Sequence, residues 1–200
     1  FSWIKPTRPV PADRIFEVGE RIAADGSVLT PLDPETVRLA ARALRDRGIT
    51  AIAVCFLHSF ANPAHEQETR DLILAEHPDA LVSISSDVLP LVREYERSMA
   101  TVLNVYVMSA VSRYVARLEE RLAQEKITAP LLIMKSNGGV VSAPEVRTAP
   151  AYTALSGPAA GVVGAGFVGE SAGFQNVIGI DIGGTSADIS MIKGGQFRLS

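Results

Sequence analysis

Apolar and polar positions along the first sixty residues predict a hairpin, a helix and a buried strand. Phe16 to Ile22 alternates between apolar and polar residues and meets a turn signal at residues 24–26, which predicts an edge hairpin. Asp33-Pro34-Glu35 supplies an N-cap, a proline at the first helical position and an acid in the first turn; Gly48 closes the helix that follows. Ile49 to Leu57 is a continuous apolar run, typical of a parallel strand buried on both faces.

The middle of the chain continues the alternation of helices and strands. A second helix is predicted from about Pro63 to His77, and a short strand from Ala80 to Ile84. A long helix follows, roughly 45 Å in length at 1.5 Å per residue. Steps of three and four define one apolar face on it, formed by Val92, Tyr95, Met99, Val102, Tyr106, Ala110, Tyr114, Leu118 and Leu122. With a further strand at Leu131 to Met134, this order predicts an α/β fold.

Composition narrows the class of protein. Hydrophobic residues make up 47% and charged residues 20% of the chain, which describes a globular protein. The net charge of −3 and the lack of a basic stripe give no support for nucleic-acid binding, and no apolar run reaches membrane-spanning length. Cys55 is the only cysteine, which favours a cytoplasmic setting. The start at Phe1 and the end at Ser200 suggest a piece of a longer protein.

Glycine and charge are distributed unevenly. Thirteen of the 16 glycines lie at or after Gly138, whereas most charged residues precede it. We therefore expect charged helices over a sheet in the first part, and tight turns with close helix–strand packing in the last part.

The run from Asp181 to Asp188 holds the candidate chemistry. It lies between two apolar β-type segments, and its two glycines let backbone N–H groups approach a phosphate without a Cβ in the way. Asp181 adds a carboxylate suited to a hydrated magnesium ion, and Thr185 adds a hydroxyl. The alternative is a plain β-hairpin with a glycine turn and two exposed aspartates.

A segment of small residues precedes this run. It opens with Ser156-Gly157-Pro158, where the proline suits a helix start and the small side chains permit close packing. A strand, a small-residue helix and an Asp-x-Gly-Gly-Thr hairpin, in that order, resemble the actin-like ATPases. The resemblance implies a partial actin-like (ribonuclease H-like) fold: a mixed sheet with flanking helices and one long helix.

Four motifs narrow the resemblance to one family. Arg93–Arg97 with Thr101–Asn104, Lys135–Gly139, Ser156–Pro158 and Asp181–Thr185 are together similar to the hydantoinase A / 5-oxoprolinase family. The resemblance implies an N-terminal α/β region at residues 1–135 and the start of the hydantoinase A domain at residues 136–200.

Site residues follow from that resemblance. Asp181 is expected to hold Mg²⁺ through water and, with Thr185, to act in catalysis. The residues expected to bind ATP are Gly183, Gly184, Thr185, Ser136, Asn137, Gly138, Gly139 and Gly157. Gly157 stands where sugar kinases carry an acidic residue, which argues against a sugar kinase, because a sugar hydroxyl needs a base and an amide oxygen needs one far less. Tyr95, Glu96 and Arg97 belong to the first of the four family motifs. The alternative is that they have only a structural role, at the head of the long helix.

The implied function is that of an ATP-dependent hydrolase subunit that phosphorylates and opens a cyclic amide such as a hydantoin or 5-oxoproline. A B-type partner subunit and an oligomeric assembly are implied with it. One alternative is an ATP-dependent ketone carboxylase subunit. Alternatives of other classes are a dinucleotide-binding oxidoreductase and a non-catalytic interaction domain that docks through the long helix.

Two short sequence motifs partly match a dinucleotide-binding site and a zinc-protease site. Gly164-x-Gly166-x-x-Gly169 satisfies the dinucleotide fingerprint by letter, but too few residues separate it from the next strand. His65-Glu66 resembles the start of a zinc-protease motif, but Thr69 stands where the second histidine is needed.

Overall fold

The computed structural model describes residues 8–184 and 187–197. Its helices are α1 (Pro34–Asp46), α2 (Ala64–Glu76), α3 (Ser85–Val88), α4 (Glu94–Gln124), α5 (Ala143–Thr148) and α6 (Ser156–Ser171). Its strands are β1 (Arg21–Ile22), β2 (Val28–Thr30), β3 (Ala51–Val54), β4 (Leu81–Ile84), β5 (Leu132–Met134), β6 (Val140–Ser142), β7 (Val177–Ile182), β8 (Ala187–Lys193) and β9 (Gln196–Phe197). Short 3₁₀ helices lie at Ala12–Arg14 and Pro150–Thr153.

The chain forms two compact units, the first ending at Ser109 and the second beginning at Ala110. The α/β class and the long helix are confirmed. The described strands form four small sheets, three of two strands and one of three, where a single mixed sheet was expected. The predicted domain boundary between residues 135 and 136 stays a prediction. No helix among the described residues combines the length and the hydropathy that crossing a bilayer requires.

The first helix of the first unit forms as its end signals predict. The Asp33 carboxylate accepts a hydrogen bond of 3.0 Å from the N–H of Glu35, which caps the N-terminus of α1. At the other end Gly48 adopts φ +69°, a left-handed conformation that favours glycine. Strands β1 and β2 pair antiparallel as the predicted hairpin.

The core of the first unit lies between helices α1 and α2 and a parallel pair of strands. Strands β3 and β4 pair parallel, with Ala51 opposite Leu81 and Val54 opposite Ile84, so the predicted parallel arrangement is confirmed. The buried apolar residues of this core are Val37, Ala41, Leu44, Ile52, Val54, Ile73, Ala80 and Ile84. Strand β3 is shorter than predicted because the N–H of Phe56 turns to a side chain, the carboxylate of Glu66, at 2.8 Å.

The buried face of α4 differs from the predicted one. Three residues of the predicted apolar face, Tyr95, Tyr106 and Tyr114, are 75%, 78% and 65% exposed. The buried residues lie instead on a face that carries polar side chains: Arg97, Thr101, Asn104, Val105, Met108 and Val115. The face prediction was wrong because a hydrophobicity pattern assigns buried polar residues to the surface unless their hydrogen-bond partners are known.

Those polar residues are held by a network in the first unit. Arg97, 1% exposed, donates to Ser59 Oγ at 2.8 Å and to the carbonyl of Phe56 at 2.6 Å. Asn104 donates to Ser83 Oγ at 3.0 Å. Arg97 therefore has a structural role at the head of the long helix.

In the second unit, a hairpin and a capped helix follow α4. Strands β5 and β6 pair antiparallel, and α5 follows at once. The Glu145 carboxylate accepts hydrogen bonds from the N–H and the hydroxyl of Ser142, which cap α5 and lower the pKa of Glu145. Val115, Ala143 and Val146 are the buried apolar residues here.

The second unit ends in the predicted hairpin. Strands β7 and β8 pair antiparallel from Val177 opposite Ile192 to Ile182 opposite Ala187, and β9 adds to β8. Helix α6, rich in glycine and alanine, packs on one face of this sheet. The other face carries exposed isoleucines and a methionine: Ile178, Ile180, Ile182, Ile189 and Met191.

Candidate functional site

A cleft of about 340 Å³ lies between α6 and the β7–β8 hairpin. Asp181 and Asp188 line it from the two strands, together with Ser190. Pro158 and Gly161 line it from the first half of α6. The cleft therefore joins the carboxylates of the Asp181–Asp188 run to the start of the small-residue helix.

The two aspartates face each other across the hairpin. Asp181 is the register partner of Asp188, and directly opposite residues of an antiparallel pair place their side chains on the same face. Both residues are exposed to solvent. Like charges directly opposite each other destabilise a sheet, so a bound cation would offset the repulsion between these carboxylates.

Glycines let α6 approach the hairpin closely. A Cβ on Gly169 would lie 2.4 Å from Val177 Cγ2, and a Cβ on Gly179 would lie 2.6 Å from Ser190 Oγ. Neither distance is compatible with van der Waals radii, so a Cβ at either position would require the facing side chain, Val177 or Ser190, to move. A Cβ on Gly161 would lie 3.8 Å from Asp181 Oδ2, which places that carboxylate beside the helix backbone.

The glycines after β7 are open. Gly183 and Gly184 follow the strand and are exposed, and a Cβ on Gly184 would meet nothing within 4 Å. Thr185, predicted to bind phosphate and to act in catalysis, lies outside the described residues. Phosphate contacts of Gly183 and Gly184 stay a prediction.

The loop from Ser136 to Gly139 is the connection between β5 and β6. The carbonyl of Gly139 accepts from the N–H of Lys135 at 2.7 Å, and Asn137 Oδ1 accepts from the N–H of Gly139 at 3.0 Å. Gly138 adopts φ +79°, so the turn needs a residue tolerant of the left-handed region. None of these loop residues is among those that line the cleft in the described part of the chain.

Gly157 lies in the first turn of α6, directly before Pro158. It does not line the cleft, and a Cβ there would meet nothing within 4 Å. The residue before the helix, Leu155, adopts φ +58° and is 80% exposed. A leucine in the left-handed region is uncommon and marks a strained entry into α6.

The structure does not support the dinucleotide-binding motif or the zinc-protease motif. Gly164, Gly166 and Gly169 all lie inside α6, whereas a dinucleotide fingerprint spans the turn from a strand into a helix. His65 is 7% exposed and pairs with Glu20 at 2.9 Å. No group of three potential metal-ligating side chains occurs among residues 8–184 and 187–197.

Sequence reasoning gave no role to two residues of the cleft. Asp188 is the last residue of the Asp181–Asp188 run, and pairing of the two strands of the predicted hairpin would have placed it opposite Asp181. Gly161 lies four residues after Gly157, one helical turn later, and faces the carboxylate. Its position could not be read from the sequence, because helix orientation on the sheet depends on which glycines make the contact.

Comparison with known proteins identifies the family. The Hydantoinase/oxoprolinase family matches residues 97–200, and the Hydantoinase/oxoprolinase N-terminal region matches residues 1–77. Caprolactamase subunit alpha of Pseudomonas jessenii is 34% identical over 92% of this chain and 26% of its own length. The acetophenone carboxylase gamma subunit of Aromatoleum aromaticum is 36% identical over 97% of this chain and 27% of its own length.

Solved structures agree with the sequence comparison. The nucleotide-free structure of acetone carboxylase, from work on ATP-dependent acetone carboxylation, superposes with a TM-score of 0.76 at 32% identity. It covers 90% of this chain and 26% of that chain. The ATP-dependent caprolactamase of Pseudomonas jessenii superposes with a TM-score of 0.72 at 32% identity, over 87% of this chain and 25% of that chain. The chain spans about a quarter of the length of these relatives, and it belongs to the hydantoinase/oxoprolinase family.

Proposed function

We propose that this chain supplies part of the ATP site of an enzyme that phosphorylates and opens a cyclic amide. The carbonyl oxygen of the ring amide attacks the γ-phosphorus, and the bond from that phosphorus to the bridging oxygen of ADP breaks. Water then adds to the activated carbon, and the ring C–N bond breaks with the nitrogen taking a proton, which leaves an acyl phosphate. A second water hydrolyses the acyl phosphate to a carboxylate and inorganic phosphate. The family and the caprolactamase relative, which is ATP-dependent by its description, support this reaction class.

The observation that carries the proposal is the position of Asp181 in the cleft beneath α6. Its carboxylate lies beside Gly161, with Asp188 directly opposite on β8. Two oxygen-rich carboxylates beside a cleft of about 340 Å³ suit a hydrated magnesium ion, which keeps several waters and takes one or two protein carboxylates. When bound with ATP, Mg²⁺ would neutralise charge on the transferring phosphoryl group.

The remaining site residues act by backbone and hydroxyl groups. Gly183 and Gly184 are exposed and have no side chain to keep a phosphate away from their N–H groups. Thr185 would add a hydroxyl donor. We include the Ser136–Gly139 loop and Gly157 in the same nucleotide site, with the Gly157 peptide at the N-terminal end of α6, where helix N–H groups favour an anion.

The absence of an acid at position 157 fits an amide substrate. The side chain that would serve as general base in a sugar kinase is missing there. An amide oxygen already carries electron density for attack on phosphorus, so positioning and charge neutralisation by Asp181, the loop N–H groups and Mg²⁺ would suffice.

The proposal includes a fold and an assembly. The order α6, β7, β8, with the carboxylate at the end of β7, supports a partial actin-like fold in which α6 connects two halves and the β7–β8 hairpin is one of two phosphate loops. The relatives are described as alpha and gamma subunits, which supports a partner subunit of another type. Residues outside this chain would then supply the other phosphate loop and the adenosine pocket.

A ketone carboxylase subunit is the second candidate. The acetophenone carboxylase gamma subunit is as similar to this chain as the caprolactamase subunit is, and the acetone carboxylase structure superposes over most of the chain. Product analysis separates the two functions: the assembled enzyme is given ATP with a cyclic amide, or ATP with a ketone and bicarbonate, and only one pair is consumed.

The test of the ATP site is Asp181→Asn in the assembled enzyme. The substitution keeps the shape of the side chain and removes its charge, so we expect magnesium-dependent ATP turnover to fall by roughly 100-fold or more. Phosphate release is measured across a magnesium titration, with whichever substrate the product analysis selects.

Asp79→Asn is the matched control, because Asp79 is an exposed carboxylate in the first unit and lies outside the cleft. We expect it to leave turnover and its magnesium dependence unchanged. If Asp181→Asn turns over ATP at the wild-type rate with the wild-type magnesium dependence, Asp181 has no part in the reaction and the proposed site is wrong.

A further inference from the structure

The loop between β5 and β6 uses most of its backbone donors within the protein. The N–H of Ser136 donates to the carbonyl of Tyr152 at 2.7 Å. The N–H groups of Gly138 and Gly139 donate within the turn itself, at 3.1 Å and 3.0 Å. These three N–H groups are therefore not available to hold a phosphate in the way that bare glycine amides do. A contribution of this loop to an anion site must come mainly from a side chain.

Lys135 places a cation at this loop. It is partly buried and stands directly before the loop, and its side chain folds back over the turn. Its Cε lies 3.5 Å from the position that a Cβ on Gly139 would take, and its Nζ lies 5.7 Å from the centroid of the Tyr152 ring. An aromatic face attracts an ammonium group at this distance and does not neutralise its charge. The contact with Tyr152 therefore orients the side chain and leaves a positive charge at the loop.

The charge of Lys135 is not cancelled by a carboxylate. In the described part of the chain Lys135 forms no ion pair, whereas Arg147 pairs with Glu119. The Glu145 carboxylate is engaged by the N–H and the hydroxyl of Ser142, at 2.9 Å and 2.8 Å. These two hydrogen bonds lower the pKa of Glu145 more than the charge of Lys135 does. The ammonium group thus keeps the capacity to bind an anion.

The loop lies at the end of α6 that lines the cleft. Strand β5, which leads into the loop, packs against α6, and Tyr152 lies four residues before the first residue of α6. Pro158 and Gly161, in the first half of the same helix, line the cleft. Four extended residues span at most about 14 Å, so the loop and the cleft share one end of the helix.

The cleft needs a positive charge if it is to hold phosphates. Among the described residues that line it, Asp181 and Asp188 are charged and both are acidic. A magnesium ion between these carboxylates and a triphosphate offsets only part of the negative charge. Lys135, at the same end of α6, supplies a cation from the protein.

We propose that the Lys135 ammonium group donates a hydrogen bond to the γ-phosphoryl group of a nucleotide bound in the cleft. This inference rests on the proposed ATP site. A lysine ammonium is a compact point charge with three donors, and it suits a phosphoryl group whose oxygens point in several directions. The γ-phosphoryl group is the expected contact because the adenosine pocket is proposed to lie outside this chain. The contact would hold that group in place for attack by the amide oxygen.

The test compares two nucleotides that differ by one phosphoryl group. Calorimetric titration gives the Kd of the non-hydrolysable ATP analogue AMP-PNP and of ADP, each with magnesium, for the assembled enzyme and for its Lys135→Met variant. Methionine keeps the unbranched stem and removes the charge. We expect the Kd of AMP-PNP to rise roughly 10-fold or more and the Kd of ADP to stay within about 2-fold. Lys135→Arg keeps the charge and the contact with Tyr152, so AMP-PNP should bind within about 3-fold of wild type.

Lys193→Met is the matched control. Lys193 is an exposed lysine of the same unit, at the end of the β7–β8 hairpin away from Asp181, and we expect wild-type affinity for both nucleotides. Equal weakening of AMP-PNP and ADP by Lys135→Met would give Lys135 a structural role only, and unchanged AMP-PNP affinity would remove it from the site. Either result overturns the inference and leaves the proposed function standing. A wild-type assembly that binds neither nucleotide would overturn both.

Discussion

The two units of this chain fix their helices by opposite means. In the first unit, α4 is anchored by a buried polar side chain: Arg97 donates to Ser59 Oγ and to the carbonyl of Phe56. The network continues to α2, where the Glu66 carboxylate accepts from Phe56, Ser85 and Ser86. In the second unit, α6 meets the β7–β8 hairpin through positions that carry no side chain at all. One contact is defined by hydrogen bonds and the other by the absence of Cβ atoms.

The two kinds of contact restrict different kinds of amino-acid substitution. A buried polar network tolerates no missing partner, because each orphaned group keeps the cost of leaving water. A glycine contact tolerates no added atom unless the facing side chain moves, because a Cβ on Gly169 would overlap Val177 Cγ2. The second kind lets the helix backbone lie close to the side chains of the hairpin, as Gly161 lies beside Asp181.

The largest expected effect comes from removing the centre of the polar network. Glu66→Ala deletes the acceptor of three hydrogen bonds, of 2.8, 2.6 and 2.8 Å, in a residue that is 0% exposed. We expect the free energy of unfolding to fall by about 3–5 kcal/mol, since three donors at this buried position lose their acceptor. Urea denaturation followed by circular dichroism measures it.

Glu68→Ala is the control for that loss. Glu68 lies on the same helix and is exposed, so we expect a change within about 0.5 kcal/mol. Equal effects of the two substitutions would show that the network does not stabilise the first unit.

A pair of glycine substitutions tests the second kind of contact. Gly169→Ala places a Cβ at 2.4 Å from Val177 Cγ2, and we expect it to destabilise the protein by about 1–3 kcal/mol through overpacking. Gly164→Ala, on the same helix with nothing within 4 Å, is expected to stabilise it by about 0.5–1 kcal/mol through helix propensity. Thermal unfolding of both variants gives the signs, and a shift of the same sign would remove the close-packing explanation.

The smallest effect concerns two residues in the left-handed region, one in each unit. Leu155 at φ +58° is 80% exposed, so Leu155→Gly should relieve strain and stabilise the protein by about 0.5–1 kcal/mol. His58, also at φ +58°, donates from Nδ1 to the carbonyl of Ile22 at 2.8 Å. His58→Gly should therefore show no gain, because the lost hydrogen bond offsets the relieved strain.

Differential scanning calorimetry compares these two variants. An equal gain in stability for His58→Gly and Leu155→Gly would mean that the imidazole hydrogen bond contributes nothing to stability. Polar contacts would then be less important for the first unit than the Arg97 and Glu66 hydrogen bonds indicate.

Local signals of the sequence predicted the elements well where the deciding contacts are local. The Asp33 cap, the left-handed Gly48 and the hairpin around Asp181 all follow from residues within a few positions of one another, and the family was evident from its motifs. The packing face of α4 was not evident. Its burial depends on partners that lie about 40 residues away, such as Phe56 and Ser59 for Arg97.

The same division applies to the candidate site. The sequence by itself determined the family, the α/β class, the turn chemistry and the carboxylate at the end of β7, because caps, glycines and apolar runs act over short distances. Only the tertiary structure decided that Gly161 lies beside the cleft of Asp181 and Asp188, and that the buried face of α4 is the one that carries Arg97. Strand register and helix orientation are set by contacts between distant segments, and close packing selects one arrangement from many that the local pattern allows.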